Sequence, residues 1–167
     1  MKKVIENIKE AFGGLNGVIH SAVSSNNDTV RPLMNATGKK EAEQEFESKV
    51  YGIPILEKCL RNEKLEFVIL FSSLSSFLGG MGLVSYTSAN AFIDTYVKYI
   101  NRKSSTRWLA INWDHWQDIE RENSSKYFTS TDKYTMSKSE AFESFRICLS
   151  NIPIDQVIVC VSACKVF

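Results

Sequence analysis

Residues 65–71, LEFVILF, make an apolar run broken only by Glu66, and they constrain this chain more than any other stretch. The run has the length of a strand and is too short for an ordinary helix. A strand with apolar side chains on both faces must be covered on both, as in the centre of a parallel sheet. A Ser- and Gly-rich loop over 72–82 follows, and then a strong helical pattern over about 84–101.

The rest of the chain alternates in the same way. Val4, Ile5, Ile8 and Phe12 fall at helical spacing, and Gly13-Gly14 stops that helix. Gly17-Val18-Ile19-His20 reads as a short buried strand, and 21–40 as a polar loop containing Pro32. A helix over about 40–60 carries an interruption at Gly52 and Pro54, where a kink is expected. A strand over 108–112, an irregular stretch over 113–138, a helix over 139–149 and a strand over 156–161 complete the pattern. Four strands alternating with helices imply βαβ units: an α/β fold with a partial Rossmann-like parallel sheet and helices on both faces. Ligands of such sheets bind beyond the carboxyl ends of the strands, so the residues at 20–27, 72–76 and 113–116 become the candidates.

Charge and composition remove several classes of function. A formal net charge of +1 in 167 residues leaves no basic surface for nucleic acid. No run approaches the roughly 18 apolar residues of a membrane span, and MKKVIENIKEAF lacks the apolar core of a signal peptide. Cys59, Cys148, Cys160 and Cys164 show no paired spacing, which fits reduced thiols in the cytoplasm. His20 and His115 lie far in sequence from these cysteines, so no metal site is expected. No GxSxG elbow surrounds any serine, which excludes a serine hydrolase of the α/β type.

Three positions together suggest chemistry. Tyr86, near the start of the helix over 84–101, shares a face with Asn90, four residues on. That face borders the apolar arc of Ala89, Ile93, Val97 and Ile100, with Thr87, Asp94, Thr95 and Lys98 expected to point away. Lys49 falls within the apolar arc of its own helix, between Phe46 and Ile53. An inward ammonium needs a partner or a task, unless its stem simply snorkels to the surface. Ser72, Ser73, Ser75 and Ser76 follow the central strand at its ligand-binding end, where they serve equally as turn residues. A tyrosine that donates a proton, a nearby ammonium and a serine hydroxyl that orients a carbonyl form a coherent set.

The segments FVILFSSLSSFLGGMGLVSYTSANAFID (67–94) and INWDHW (111–116) resemble the ketoreductase domain of modular polyketide synthases, in the short-chain dehydrogenase/reductase superfamily. GVIHSA (17–22), SKVYG (48–52) and the closing MSKSEAFESF and DQVIVCVS fit the same family in the same order. The resemblance implies that Ser73 binds the substrate carbonyl and that Tyr86 protonates the developing alkoxide. Lys49 then holds the ribose of NADPH, and Asn90 takes the companion position. Ordinary members of the superfamily place the lysine four residues after the tyrosine. This family has asparagine there and its lysine on the preceding helix, as Asn90 and Lys49 do. His20, Ala22 and Trp113 are implied on the cofactor side, Trp113 through the NWDHW loop.

The resemblance also implies a substrate, a β-ketoacyl chain on the phosphopantetheine of an acyl carrier protein, reduced to β-hydroxyacyl. Several positions depart from the family pattern. No strand–GxGxxG–helix unit occurs in these 167 residues, so they are expected to form a single partial ketoreductase domain without the Gly-rich cofactor half. The missing half or neighbouring synthase domains are then expected as partners, covering an otherwise open strand edge. The HxAG turn of the family reads His20-Ser21-Ala22-Val23, with valine at the glycine. Leu78 stands where one stereochemical class has tryptophan, and Asn26-Asn27-Asp28 lies near where the other has LDD. A truncated, non-catalytic module of a synthase is the competing expectation.

Overall fold

The computed structural model describes residues 1–23, 38–80, 82–117, 135–150 and 154–161. Strands β1 (Gly17–His20), β2 (Phe67–Ser73), β3 (Arg107–Trp113) and β4 (Gln156–Val159) form one parallel sheet in the order β1-β2-β3-β4. Val18 lies opposite Val68, Leu70 opposite Ala110, and Trp113 opposite both Ser73 and Val159. β2 runs two residues past the apolar run because Ser72 and Ser73 continue the ladder against Asn112 and Trp113.

Helix α1 (Lys2–Phe12) ends at Gly13, whose φ of 78° is the left-handed conformation glycine adopts without a Cβ penalty. Helix α2 (Lys39–Phe46) continues through a π-helical turn, Glu47–Tyr51, into α3 (Gly52–Leu60). The Gly52 N–H bonds the Glu47 carbonyl, five residues back rather than four. Pro54 supplies the cause: it has no N–H to give, and its ring crowds the carbonyl four residues earlier, so the helix widens at the expected interruption. The expected Ser/Gly loop contains a short helix, α4 (Ser75–Leu78), and α5 (Val84–Asn101) follows it. Helix α6 (Lys138–Leu149) opens with a capping box in which Ser137 and Glu140 bond each other's backbone N–H.

Side chains of β2 and β3 alternate between two cores. Val68, Leu70, Trp108 and Ala110 pack with Ile53, Leu56, Ile93 and Val97 of α3 and α5. Ile69, Leu109, Ile111 and Trp113 face the other way, against Ala141 and Cys148 of α6. The strand order advances in one direction while α6 lies on the opposite face, so the last crossover has the opposite hand from the two before it. In α1 only Ile5 is buried; Val4 and Phe12, expected on its apolar stripe, are exposed, as is Ile19 of β1. Among the described residues, nothing pairs with the outer edge of β1.

Candidate functional site at the carboxyl ends of the strands

Lys49 lies within the π turn and points inward, where it is 2% exposed. Its Nζ donates to Asn90 Oδ1 at 2.6 Å and lies 4.8 Å from the centre of the Tyr86 ring. The Asn90 Nδ2 donates back to the Tyr86 carbonyl at 2.9 Å, which fixes the amide with its oxygen toward the ammonium. Lys49, Tyr86 and Asn90 are thus brought together; the spacing of four joins only Tyr86 and Asn90, and Lys49 is placed with them by the resemblance.

Ser73 ends β2 at the same end of the sheet. Its Oγ accepts from the Ser75 N–H at 3.2 Å, a turn that opens α4, and it is partly exposed. Ser72, pointing to the α5 side, donates from Oγ to the Asn90 carbonyl at 3.3 Å. Ser72 therefore ties the strand end to the turn of α5 that carries Asn90.

The end of β1 meets the π turn. Ser48 Oγ donates to the Ala22 carbonyl at 3.4 Å. Burial pushes the His20 imidazole below its ordinary value, and the Lys49 charge pushes the same way against a hydrogen bond to the Ser48 backbone. His20, Ala22 and Lys49 therefore neighbour one another.

Trp113 does not join them. It lies on the α6 side of the sheet, its ring 5.4 Å from Phe71 and 5.1 Å from Trp116, with its buried Nε1 unpartnered among the described residues. Trp116 bridges Met136, which closes the ends of the 113–138 stretch. Leu78 and Phe77 of α4 are exposed, and so is Val23. Asn26-Asn27-Asp28 and Cys164 lie outside the described residues.

One expectation is reversed. Asp94, expected to point away, is buried: its Oδ2 accepts from Ser76 Oγ at 2.7 Å and from Asn112 Nδ2 at 2.8 Å. Asn112 of β3, not singled out in the sequence, is fully buried at the same place. The spacing of four that joins Tyr86 to Asn90 continues to Asp94, and that repeat is the signal that finds it.

Among the described residues, no three His, Cys, Asp or Glu side chains converge as a metal site, and no helix is long and apolar enough to cross a membrane. Tyr86, the Lys49 ammonium and Ser73 belong to elements that meet at the carboxyl end of the sheet. A proton donor, a positive charge and a hydroxyl are the groups that reduction of a carbonyl uses.

Comparison with known proteins agrees. The KR domain profile matches residues 1–118. Polyketide synthase PksN of Bacillus subtilis (strain 168) is 35% identical over 121 residues, covering 70% of this chain and 2% of PksN. The crystal structure of an N-terminal ketoreductase from the macrolactin assembly line superposes with a TM-score of 0.77 at 27% identity, covering 95% of this chain and 30% of that one. A ketoreductase domain from the bacillaene assembly line gives 0.75 at 26% identity, over 95% of this chain and 39% of that one. The chain thus spans well under half of these ketoreductases and a small fraction of the synthase. By profile, sequence and fold together, this chain belongs to the KR domain family, the ketoreductase domains of polyketide synthases within the short-chain dehydrogenase/reductase superfamily.

Proposed function

We propose that this chain is the reacting half of a ketoreductase that reduces a β-ketoacyl thioester, carried on the phosphopantetheine of an acyl carrier protein, to the β-hydroxyacyl thioester. The observation that carries the reading is the contact of Lys49 with both Asn90 and Tyr86 across two helices, at the ligand end of a parallel sheet.

The residues present fit one end of NADPH. Lys49 and Tyr86 would hold the ribose and nicotinamide, with His20 and Ala22 lining the approach from β1. Bound there, the cofactor supplies hydride. The 167 residues hold no glycine-rich loop of the strand–GxGxxG–helix kind, so a separate segment must cradle the pyrophosphate. The outer edge of β1, unpaired among the described residues, is where a parallel sheet would receive it.

Ser73 orients the ketone by hydrogen bonding its oxygen. The Tyr86 hydroxyl gives its proton to that oxygen as hydride reaches the carbon. The Lys49 charge beside the ring stabilises the phenolate left behind, and solvent returns the proton. Asn90, held from both sides, keeps Lys49 at that distance.

The test supplies the N-terminal half of a ketoreductase as a second polypeptide and follows oxidation of NADPH by a β-keto thioester. Turnover that Tyr86→Phe abolishes while NADPH still binds is the expected result. A Tyr86→Phe variant within a few-fold of wild type would overturn the assignment. Val23 at the glycine of the HxAG turn favours a second reading, a non-catalytic module supporting neighbouring synthase domains. NADPH bound without turnover would establish that reading instead.

A further inference from the structure

Asp94 lies one turn beyond Asn90 on α5 and is 7% exposed. A carboxylate accepts hydrogen bonds and never donates them when ionised. Its Oδ2 takes one from Ser76 of α4 and one from Asn112 of β3. The same Asn112 nitrogen lies 3.0 Å from Ser72 Oγ and 3.2 Å from the Ser73 carbonyl. Its oxygen accepts from Gln156 Nε2 of β4 at 3.0 Å. Asp94 thereby sets which way the Asn112 amide faces, and Ser72 passes the connection on to the Asn90 carbonyl at 3.3 Å.

Mere filling would not call for such a pair. On the same face of β3, the preceding inward positions are Trp108 and Ala110, both apolar. Polarity begins at position 112, which lies opposite Ser72 in the ladder, and the Asn112 amide reaches the next carbonyl, that of Ser73. Burying a carboxylate is unfavourable unless its bonds are made, and Asp94 Oδ1 has no partner among the described residues. An apolar pair of similar volume would hold α5 against the sheet without that cost. Asn112 is fully buried and Asp94 nearly so, which leaves neither side chain open to a substrate.

We propose that Asn112 and Asp94 are positioning residues: their amide–carboxylate pair sets the place of Ser73 relative to the Lys49–Asn90–Tyr86 group. The proposal rests on the reductase reading given above.

The experiment uses the whole polypeptide that bears this chain, with wild type, Asn112→Ala and Ser76→Ala compared on a β-keto thioester. Asn112→Ala is expected to lower kcat by about 10- to 100-fold, the effect of misplacing a reacting group by about an ångström. KM stays within about two-fold, because the groups that bind substrate remain. A folded Asn112→Ala variant with unchanged kcat would overturn the proposal, as would a loss confined to KM. If Asn112→Ala does not fold, Ser76→Ala decides: it removes one of the two donors to Asp94, and a few-fold fall in kcat at constant KM is expected. Unchanged kcat in Ser76→Ala would then count against the pair.

Absence of turnover in wild type would defeat the reductase reading and leave the positioning proposal to a second measurement. That measurement is acylation of lysines by an amine-reactive ester, read by mass spectrometry. In wild type, Lys49 resists while the exposed Lys9 reacts. Faster labelling of Lys49 in Asn112→Ala or Ser76→Ala, with Lys9 unchanged, supports the network; equal labelling overturns it.

Discussion

Lys49 donates to Asn90 across 41 residues of sequence, and both side chains are buried where they meet. Neither α2–α3 nor α5 presents this pair alone; the bond exists only once the two helices have packed on the sheet. The charge that the site needs is therefore held by tertiary structure.

Removing either partner has unequal effects on stability. Asn90→Ala deprives a buried ammonium of its 2.6 Å acceptor and is expected to destabilise the fold by about 1–3 kcal/mol. Lys49→Met keeps the stem and removes the charge, so it should cost less or even stabilise. Urea unfolding of the two variants gives the order. Lys49→Met as the more damaging change would contradict the burial argument.

His20 should make the fold acid-sensitive before the carboxylates titrate. Its folded value lies below the ordinary 6.5, so the unfolded chain takes up a proton that the folded one resists. The contribution is whole above pH 6.5 and fades as pH falls through the folded value. Unfolding midpoints between pH 8 and about 5 should slope downward more steeply in wild type than in His20→Gln. Equal slopes would remove His20 as the cause.

Cys148 should be the slow thiol. It lies on the buried face of α6, and burial pushes its thiol up, away from the reactive thiolate. Iodoacetamide at pH 8 is expected to modify Cys59, partly exposed, well before Cys148, which reacts only as the fold opens. Equal rates in the folded protein would show that the α6 core is not closed.

Burial ranks the apolar residues of the helices. Ile93, fully buried between α5 and the sheet, should lose about 2–5 kcal/mol on change to Ala. Phe12, 82% exposed at the end of α1, should change stability by no more than about 0.5 kcal/mol. Thermal or urea unfolding separates the two cases, and a large loss in Phe12→Ala would mean that α1 is covered in solution.

Much of this architecture is legible in the sequence because its signals are local. LEFVILF announces a doubly covered strand, and the helical periodicity after it gives α5 its observed span, 84–101. The i, i+4 step from Tyr86 to Asn90 and the inward phase of Lys49 name the group that meets in space. Other features depend on partners that no window contains. The π turn follows from Pro54 acting several residues upstream, and α4 is a single turn made within a loop. Asp94 is drawn inward by an asparagine on β3 and a serine on α4, so its own helix suggests solvent. Trp113 follows β3 alternation to the face opposite Lys49, whatever its neighbours in the NWDHW segment suggest.

The order of the strands also ranks how long each holds its amide protons. β2 and β3 each have a strand on either side and are covered on both faces, while β1 and β4 each keep an outer edge without a partner among the described residues. Exchange with solvent should begin at these outer strands and reach β2 and β3 last. Ser72, Ser73 and Asn112 stand on the inner pair, and His20 stands on β1. On the reading proposed above, the serine that would meet the carbonyl is mounted on the strands that open last. The proposed approach for the cofactor is mounted where the sheet loosens first.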